Sequence, residues 1–303
     1  MKKKWNFIQE ATRVYTFYSP LRKGKYRLAS LATNLADEIP QEILTTTKDG
    51  RKLICNPAPH YYQTVYFLGE YERAVTDVIS KVVQRGDVCL DVGANIGWYT
   101  TLLQKLVREE GTVYAFEPVP KAFSLLEKNV KLNSAFDNIY LYNLALGDSE
   151  KEAEMHIFDG FTEGHASLAS FVNRSYKISP TRMIILDTFL EANNIGEINF
   201  VKIDIEGAEL LMLKGAKRLF NQIVPPIFVI EMALGTTEGF GYLPNDIIEF
   251  IAEKRDYEFY AIDESKFLLK KIKGFDKNDA GANVLCVPKG KYQDRLAKLT
   301  IIN

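Results

Sequence analysis

The stretch Gly86–Pro118, GDVCLDVGANIGWYTTLLQKLVREEGTVYAFEP, limits what this 303-residue chain can fold into more than any other. Val88-Cys89-Leu90 is a short apolar run of the kind buried in a parallel sheet, and it ends at Asp91. The chain then turns through Gly93-Ala94-Asn95-Ile96-Gly97. From Trp98 to about Arg108, Leu102, Leu103, Leu106 and Val107 recur at helical spacing, and Gly111 breaks the helix. Thr112 to Phe116 is a second apolar strand, closed by Glu117 and Pro118. Strand, glycine turn, helix and strand with a terminal acid make a nucleotide-binding βαβ unit.

The residue types suit that chemistry. Gly93 and Gly97 allow backbone to pass close to a ligand where a Cβ would clash. The helix that follows turns its N–H groups and positive end toward the same place, which suits a carboxylate or phosphate. Glu117, twenty-four residues after Gly93, can accept hydrogen bonds from both hydroxyls of a ribose. The dinucleotide fingerprint is G-x-G-x-x-G, whereas this chain has G-x-x-x-G with Asp91 two residues ahead. The departure fits a methionine-bearing nucleoside better than a pyrophosphate, with Asp91 taking the amino group and the loop the carboxylate.

Composition bounds the rest. Apolar content of 47% and charged content of 25% are ordinary for a globular protein with a sizeable core. A net charge of −1 excludes a whole-chain polycation for nucleic acid. Cys55, Cys89 and Cys286 lack zinc spacing and read as scattered thiols, two of them in buried strands, consistent with a reducing, cytoplasmic setting. No run approaches the ~18 apolar residues of a membrane span, and no apolar signal core follows the N-terminal lysines.

Residues 1–65 read as an extension and 66–303 as the main domain. Up to residue 35 there are eight Lys/Arg against one acid, Glu10. Apolar spacing predicts a helix broken at Ser19-Pro20 and a second one to about Asn34. The preferred reading is a lid or dimer arm packed on the main domain with a solvated basic face, so that a homodimer would form through this region. The alternative is an amphipathic helix for a membrane surface or partner. Lys48-Asp49-Gly50 marks a turn between the strands Ile43–Thr47 and Lys52–Cys55. A helix is expected from about Phe67 to Gln84, with Tyr71 and Glu72 placed to cap the nucleoside site or, for Glu72, to serve its dipole.

Beyond Pro118, Lys121–Asn133 is an amphipathic helix, and Ile139–Leu146 is the third strand. Its end should pass the adenine, which makes Asn143, Ala145 and Asp148 candidate base contacts. Lys151–Leu186 interrupts the alternation, with strands Met155–Phe158 and Met183–Leu186 around a polar loop, 159–180. That loop carries His165, a candidate acid–base group among three histidines. Asp187 reads as the N-cap of a short helix. Phe200–Ile203 is the fourth strand, adjacent to the first across the topological switch point, so Asp204 should face the crevice opposite the glycine turn. Asp204, Glu206 and Glu209 could orient an acceptor hydroxyl, act as a general base or hold a divalent ion. Helix N-terminal acids are the plainer reading of Glu206 and Glu209. Pro226–Glu231 is the fifth strand, 234–243 a lid-type loop, and Tyr257–Ile262 with Asn283–Val287 the last, antiparallel pair.

Taken together, DVGANIG at 91–97, FEP at 116–118, NLALGD at 143–148 and VKIDIEGAE at 201–209 resemble the FkbM-type S-adenosylmethionine-dependent methyltransferases. GEYE at 69–72 and Leu186-Asp187 are similar to that family as well, and the resemblance covers about residues 66–288. It implies a Rossmann-like class I methyltransferase fold, α/β, with a seven-stranded mixed sheet of order 3-2-1-4-5-7-6 and helices on both faces. It also implies methylation of an oxygen on a sugar, glycan or natural product, with S-adenosylmethionine as donor.

The resulting cofactor set is Glu72, Asp91, Gly93, Ala94, Asn95, Gly97, Glu117, Pro118, Asn143, Ala145 and Asp204. The catalytic set is Asp204 first, then His165, with Glu206. A divalent ion held by Asp204 with Glu206 or Glu231 is a further option. An NAD(P)-dependent oxidoreductase, an RNA or other methyltransferase and a non-catalytic nucleoside-binding protein are the competing readings, and the missing middle glycine weighs against the first. No nucleic acid partner is expected.

Overall fold

The structure is a computed structural model, and it describes residues 7–21, 23–36, 38–58, 60–133, 136–158, 166–168, 176–276 and 279–302. After helices α1 (Phe7–Tyr18) and α2 (Lys25–Asn34) comes a hairpin of β1 (Ile43–Thr46) and β2 (Lys52–Cys55), joined across the 48–50 turn. The main sheet takes β3 (Val88–Val92), β4 (Thr112–Phe116) and β5 (Ile139–Tyr142). The chain then forms β6 (Ala145–Gly147), β7 (Lys151–Phe158), β8 (Ala166–Ser167) and β9 (Tyr176–Ile185) as a separate sheet. It returns through β10 (Phe200–Ile203), β11 (Ile227–Ala233), β12 (Tyr257–Asp263), β13 (Leu268–Ile272), β14 (Gly281–Pro288) and β15 (Ile301–Ile302).

Among the described residues the main sheet has nine strands, in the order β15-β13-β12-β14-β11-β10-β3-β4-β5. That is two more than the resemblance implies. The difference is at one edge, where β13 pairs antiparallel with β12 and β15 parallel with β13. From β11 to β5 neighbouring strands are parallel, and β14 is inserted antiparallel between β11 and β12.

Strand periodicity divides the core in two. Cys89, Phe200, Ile227 and Val229 pack with the helices Arg73–Val82 and Trp98–Val107 on one face. Leu90, Val92, Val201, Ile203, Phe228 and Ile230 pack with Leu186–Ala192, Glu209–Lys214 and Pro244–Lys254 on the other. Alternate residues of each strand thus serve opposite faces, and both are buried. The three cysteines are buried free thiols. Residues of the extension, Ala29, Ala32, Leu53 and Cys55, share the first of these clusters with the main domain.

Three sequence expectations are corrected here. The predicted third strand, 139–146, is two strands in different sheets. Its bend is at Asn143, whose Nδ2 donates to the carbonyls of Glu117 and Pro118 at 2.8 and 3.0 Å. The helix expected from Phe67 is a π-helical turn, Thr64–Leu68, followed by a separate helix from Arg73. Asp187 accepts from the N–H groups of Lys217 and Arg218 and so caps a later helix, not its own.

Candidate active site

The turn after β3 is fixed mainly by its own backbone. The N–H groups of Gly93 and Ala94 both donate to the Phe116 carbonyl at 2.9 Å, that of Gly97 to Ala94 at 2.8 Å, and that of Asn95 to Glu117 Oε2 at 2.8 Å. The anticipated anion cradle is therefore largely spent inside the protein. Gly93 has φ +83°, and a Cβ there would stand 1.8 Å from the Asp204 carbonyl oxygen. Gly97 has φ +90°, and its Cβ would meet Leu126. Both glycines are needed for close contact between protein segments. Asp91 is 1% exposed and lies beneath the turn, its Oδ2 accepting from Thr100 Oγ1 at 2.5 Å. Burial raises its carboxyl to about 6, against the Thr100 hydrogen bond.

Glu117, at the end of β4, is held by two main-chain donors. Oε2 accepts from Asn95, and Oε1 accepts from Val119 N–H at 2.8 Å. Burial raises it to about 7 even so. It faces a lobe walled by Phe116, Leu144, Ala145, Leu146 and Met155. A slot with apolar walls and Glu117 at its rim has the donor–acceptor chemistry of an adenosine site. Pro118 and Ala145 line this lobe, but Asn143 and the exposed Asp148 do not.

A second lobe opens on the other side of the turn, between Tyr62, Tyr71, Asn95, Trp98 and Tyr99. Tyr62 OH donates to Asn95 Oδ1 at 2.5 Å. Gly93, Asp204 and Glu206 border both lobes.

Behind Asp204 lies a residue that sequence reasoning passed over. Lys202, on β10, is fully buried, and its Nζ donates to Asp204 Oδ2 at 3.1 Å and Asn283 Oδ1 at 3.3 Å. It stands 5.3 Å from the Tyr99 ring centroid, and Tyr99 OH donates to Glu72 Oε2 at 2.5 Å. Burial alone would lower the ammonium, but Asp204, Glu72 and Glu231 outweigh it and the net shift is upward. A lysine inside an otherwise apolar strand, two residues before an acid, was the available signal. Burial holds Glu72 up at about 7, Lys202 opposing. Glu72 sits at φ +38°, ahead of the helix it was expected to open.

Asp204, Glu206 and Glu231 each offer a carboxylate oxygen within 4.8 Å of the others, a geometry that can hold a divalent cation. Burial, then Asp204, raises Glu206 to about 8, and Asp204 above all drives Glu231 well up. Glu209 is not the third member. It is fully buried, and its Oε1 accepts from the N–H groups of Ile205 and Gly207 at 3.2 and 3.1 Å, bracing the loop. Its place is taken by Glu231, from β11. His165 lies outside the described residues.

A family model for the methyltransferase FkbM domain matches residues 91–259. The chain belongs to the FkbM methyltransferase family. S-adenosylmethionine is the donor of that family, and the fold and strand-end crevice agree with it. Relatives of this FkbM chain include the hexuronic acid methyltransferase AglP of Haloferax volcanii, 23% identical over 61% of this chain and 69% of that protein. The 31-O-demethyl-FK506 methyltransferase FkbM of Streptomyces tacrolimicus is 26% identical over 50% of this chain and 68% of that protein. Methyltransferase 1 of Beauveria bassiana is 23% identical over 42% of this chain, and the match spans 57% of the fungal protein's length.

Proposed function

We propose that this protein is an S-adenosylmethionine-dependent O-methyltransferase acting on a hydroxyl of a sugar, glycan or natural-product acceptor. One observation carries the reading. Asp204 stands at the junction of two lobes, one of adenosine chemistry with Glu117 at its rim, the other walled by tyrosines and Trp98. Oxygen as the reacting atom is further supported by the relatives, one a hexuronic acid methyltransferase and one a 31-O-demethyl-FK506 methyltransferase.

When bound, S-adenosylmethionine supplies an electrophilic methyl on a sulfonium. Glu117 would hold its ribose, and the 91–97 turn would receive the remainder. An acceptor hydroxyl in the second lobe lies beside Asp204, which takes its proton as the oxygen becomes nucleophilic. Lys202 positions that carboxylate through Oδ2. Most of the acceleration comes from holding the two reacting atoms in line at roughly 3–3.5 Å.

A metal-assisted form of the same reaction is favoured by the convergence of Asp204, Glu206 and Glu231. There a divalent cation would polarise the acceptor hydroxyl. Activity that survives EDTA dialysis removes that form. For the main reading, calorimetric titration with S-adenosylhomocysteine and with NAD is decisive. Heat with the first and none with the second is expected, and the reverse would establish an oxidoreductase.

A further inference from the structure

Helix α1 is built inside out. Its inward stripe is polar: Gln9 and Thr16 are buried, Gln9 Nε2 donates to the Ala32 carbonyl at 2.7 Å, Thr16 Oγ1 to Phe67 at 2.6 Å, and Arg13 Nε to Tyr66 at 3.2 Å. Its outward stripe is apolar, with Phe7 84%, Val14 53% and Tyr18 75% exposed, spaced to fall on one face. In α2 the buried residues are Lys25, Ala29, Ala32 and Thr33, while Leu28, Leu31 and, just past its end, Leu35 are exposed. Of the nineteen large apolar side chains exposed among the described residues, ten lie between Phe7 and Leu35. That segment is under a tenth of the chain. A lid with a solvated basic face would show the opposite arrangement.

The charge of the segment selects what covers this surface. Residues 1–35 hold eight Lys/Arg and one acid. Arg13 and Lys25 turn inward, but among the described residues Lys23 and Arg27 are exposed, and a second copy would set this lysine- and arginine-rich segment against its like, which opposes association. An anionic surface accepts both the charge and the apolar stripes. Phe and Tyr side chains beside lysines are suited to the boundary between lipid head groups and acyl chains. No helix among the described residues is long and apolar enough to cross a membrane, so the contact is with a surface.

We propose that α1 and α2 dock this protein onto anionic lipid bilayers, with Phe7, Val14, Tyr18, Leu21 and Leu31 entering the interface. Through Thr16 and Arg13 the same helix holds the Thr64–Leu68 turn, whose Val65 lines the second lobe. The acceptor lobe is thereby tied to the docking element.

Co-sedimentation of the full chain with vesicles tests this. Binding is expected to equal parts phosphatidylcholine and phosphatidylglycerol, at least about tenfold weaker to phosphatidylcholine alone, and falling as salt screens the attraction. The variant Val14→Ser/Tyr18→Ser/Leu31→Ser should bind the anionic vesicles roughly tenfold more weakly or worse, with its melting temperature kept, since these side chains face solvent. The exposed pair Lys23→Glu/Arg27→Glu provides an independent arm and should weaken binding by a similar factor. Absence of wild-type binding to anionic vesicles overturns the proposal. So does a dimer by light scattering that the serine variant dissociates while vesicle binding persists.

Discussion

A Cβ built on Gly93 would stand 1.8 Å from the main-chain carbonyl oxygen of Asp204. β3 and β10 are therefore zipped together at their ends, where Asp204 N–H also donates to Val92 at 3.0 Å. Gly93→Ala must adopt a left-handed backbone, costing roughly 1–3 kcal/mol, and must also move Asp204 away. The expected outcome is a melting temperature lower by several degrees and loss of S-adenosylhomocysteine binding, read by scanning calorimetry with and without ligand. Unchanged binding would show that the position of Asp204 does not matter to the site.

Lys202 is the buried cation that the sheet sets beside Asp204. Lys202→Met removes it and leaves Asp204, Glu72 and Glu231 facing one another. Breaking a buried pair by removing one partner costs about 3–5 kcal/mol. Chemical denaturation should report a loss of that order. A double variant, Lys202→Met with Asp204→Asn, should recover part of it, because the uncompensated charge is gone.

Glu117 is expected to govern cofactor affinity. Loss of hydrogen bonds to a charged acceptor is worth about 1.5–3 kcal/mol, so Glu117→Ala should weaken S-adenosylhomocysteine by about tenfold to a hundredfold in calorimetry. Glu117→Gln should keep more of the fold's stability than the alanine, since it retains an acceptor for Asn95 or Val119.

Asp204→Asn separates binding from chemistry. Affinity for S-adenosylhomocysteine should stay within about threefold, while methyl incorporation into any hydroxylated acceptor that supports turnover falls about a hundredfold or more. Equal turnover would remove Asp204 from the role of base.

The buried carboxyls make stability depend on pH in a defined direction. Burial is the leading cause for all three: Asp91 is raised to about 6, Glu117 and Glu209 to about 7. Their unfolded values are near 4. Between about pH 4 and about pH 7 the folded state thus binds more protons than the unfolded one, and stability falls as pH rises through that window. Thermal melts of the ligand-free protein should show this decline, flattened in Glu117→Gln. Affinity for S-adenosylhomocysteine should run the other way, strengthening as Glu117 ionises around pH 7.

Much of this protein could be read from its sequence. The apolar runs at 88–90, 112–116, 200–203 and 226–231, the glycine turn and the acids at strand ends announce a parallel sheet with a crevice at its tips. These signals are local, because the backbone period of 2 or 3.6 and the demand of a left-handed turn for glycine act within a few residues. Tertiary structure alone decided which side chains converge. It gathered both Glu206 and Glu231 with Asp204 and turned Glu209 to brace the loop, left Asn143 to hold the 117–118 bend, sank Asp91 beneath the turn, and made Lys202 the counter-charge of the site. It also decided which stripe of α1 faces inward. Periodicity defines the two stripes of a helix, but the carbonyls of Ala32, Tyr66 and Phe67 on neighbouring elements accept from Gln9, Arg13 and Thr16 and so turn the polar stripe inward.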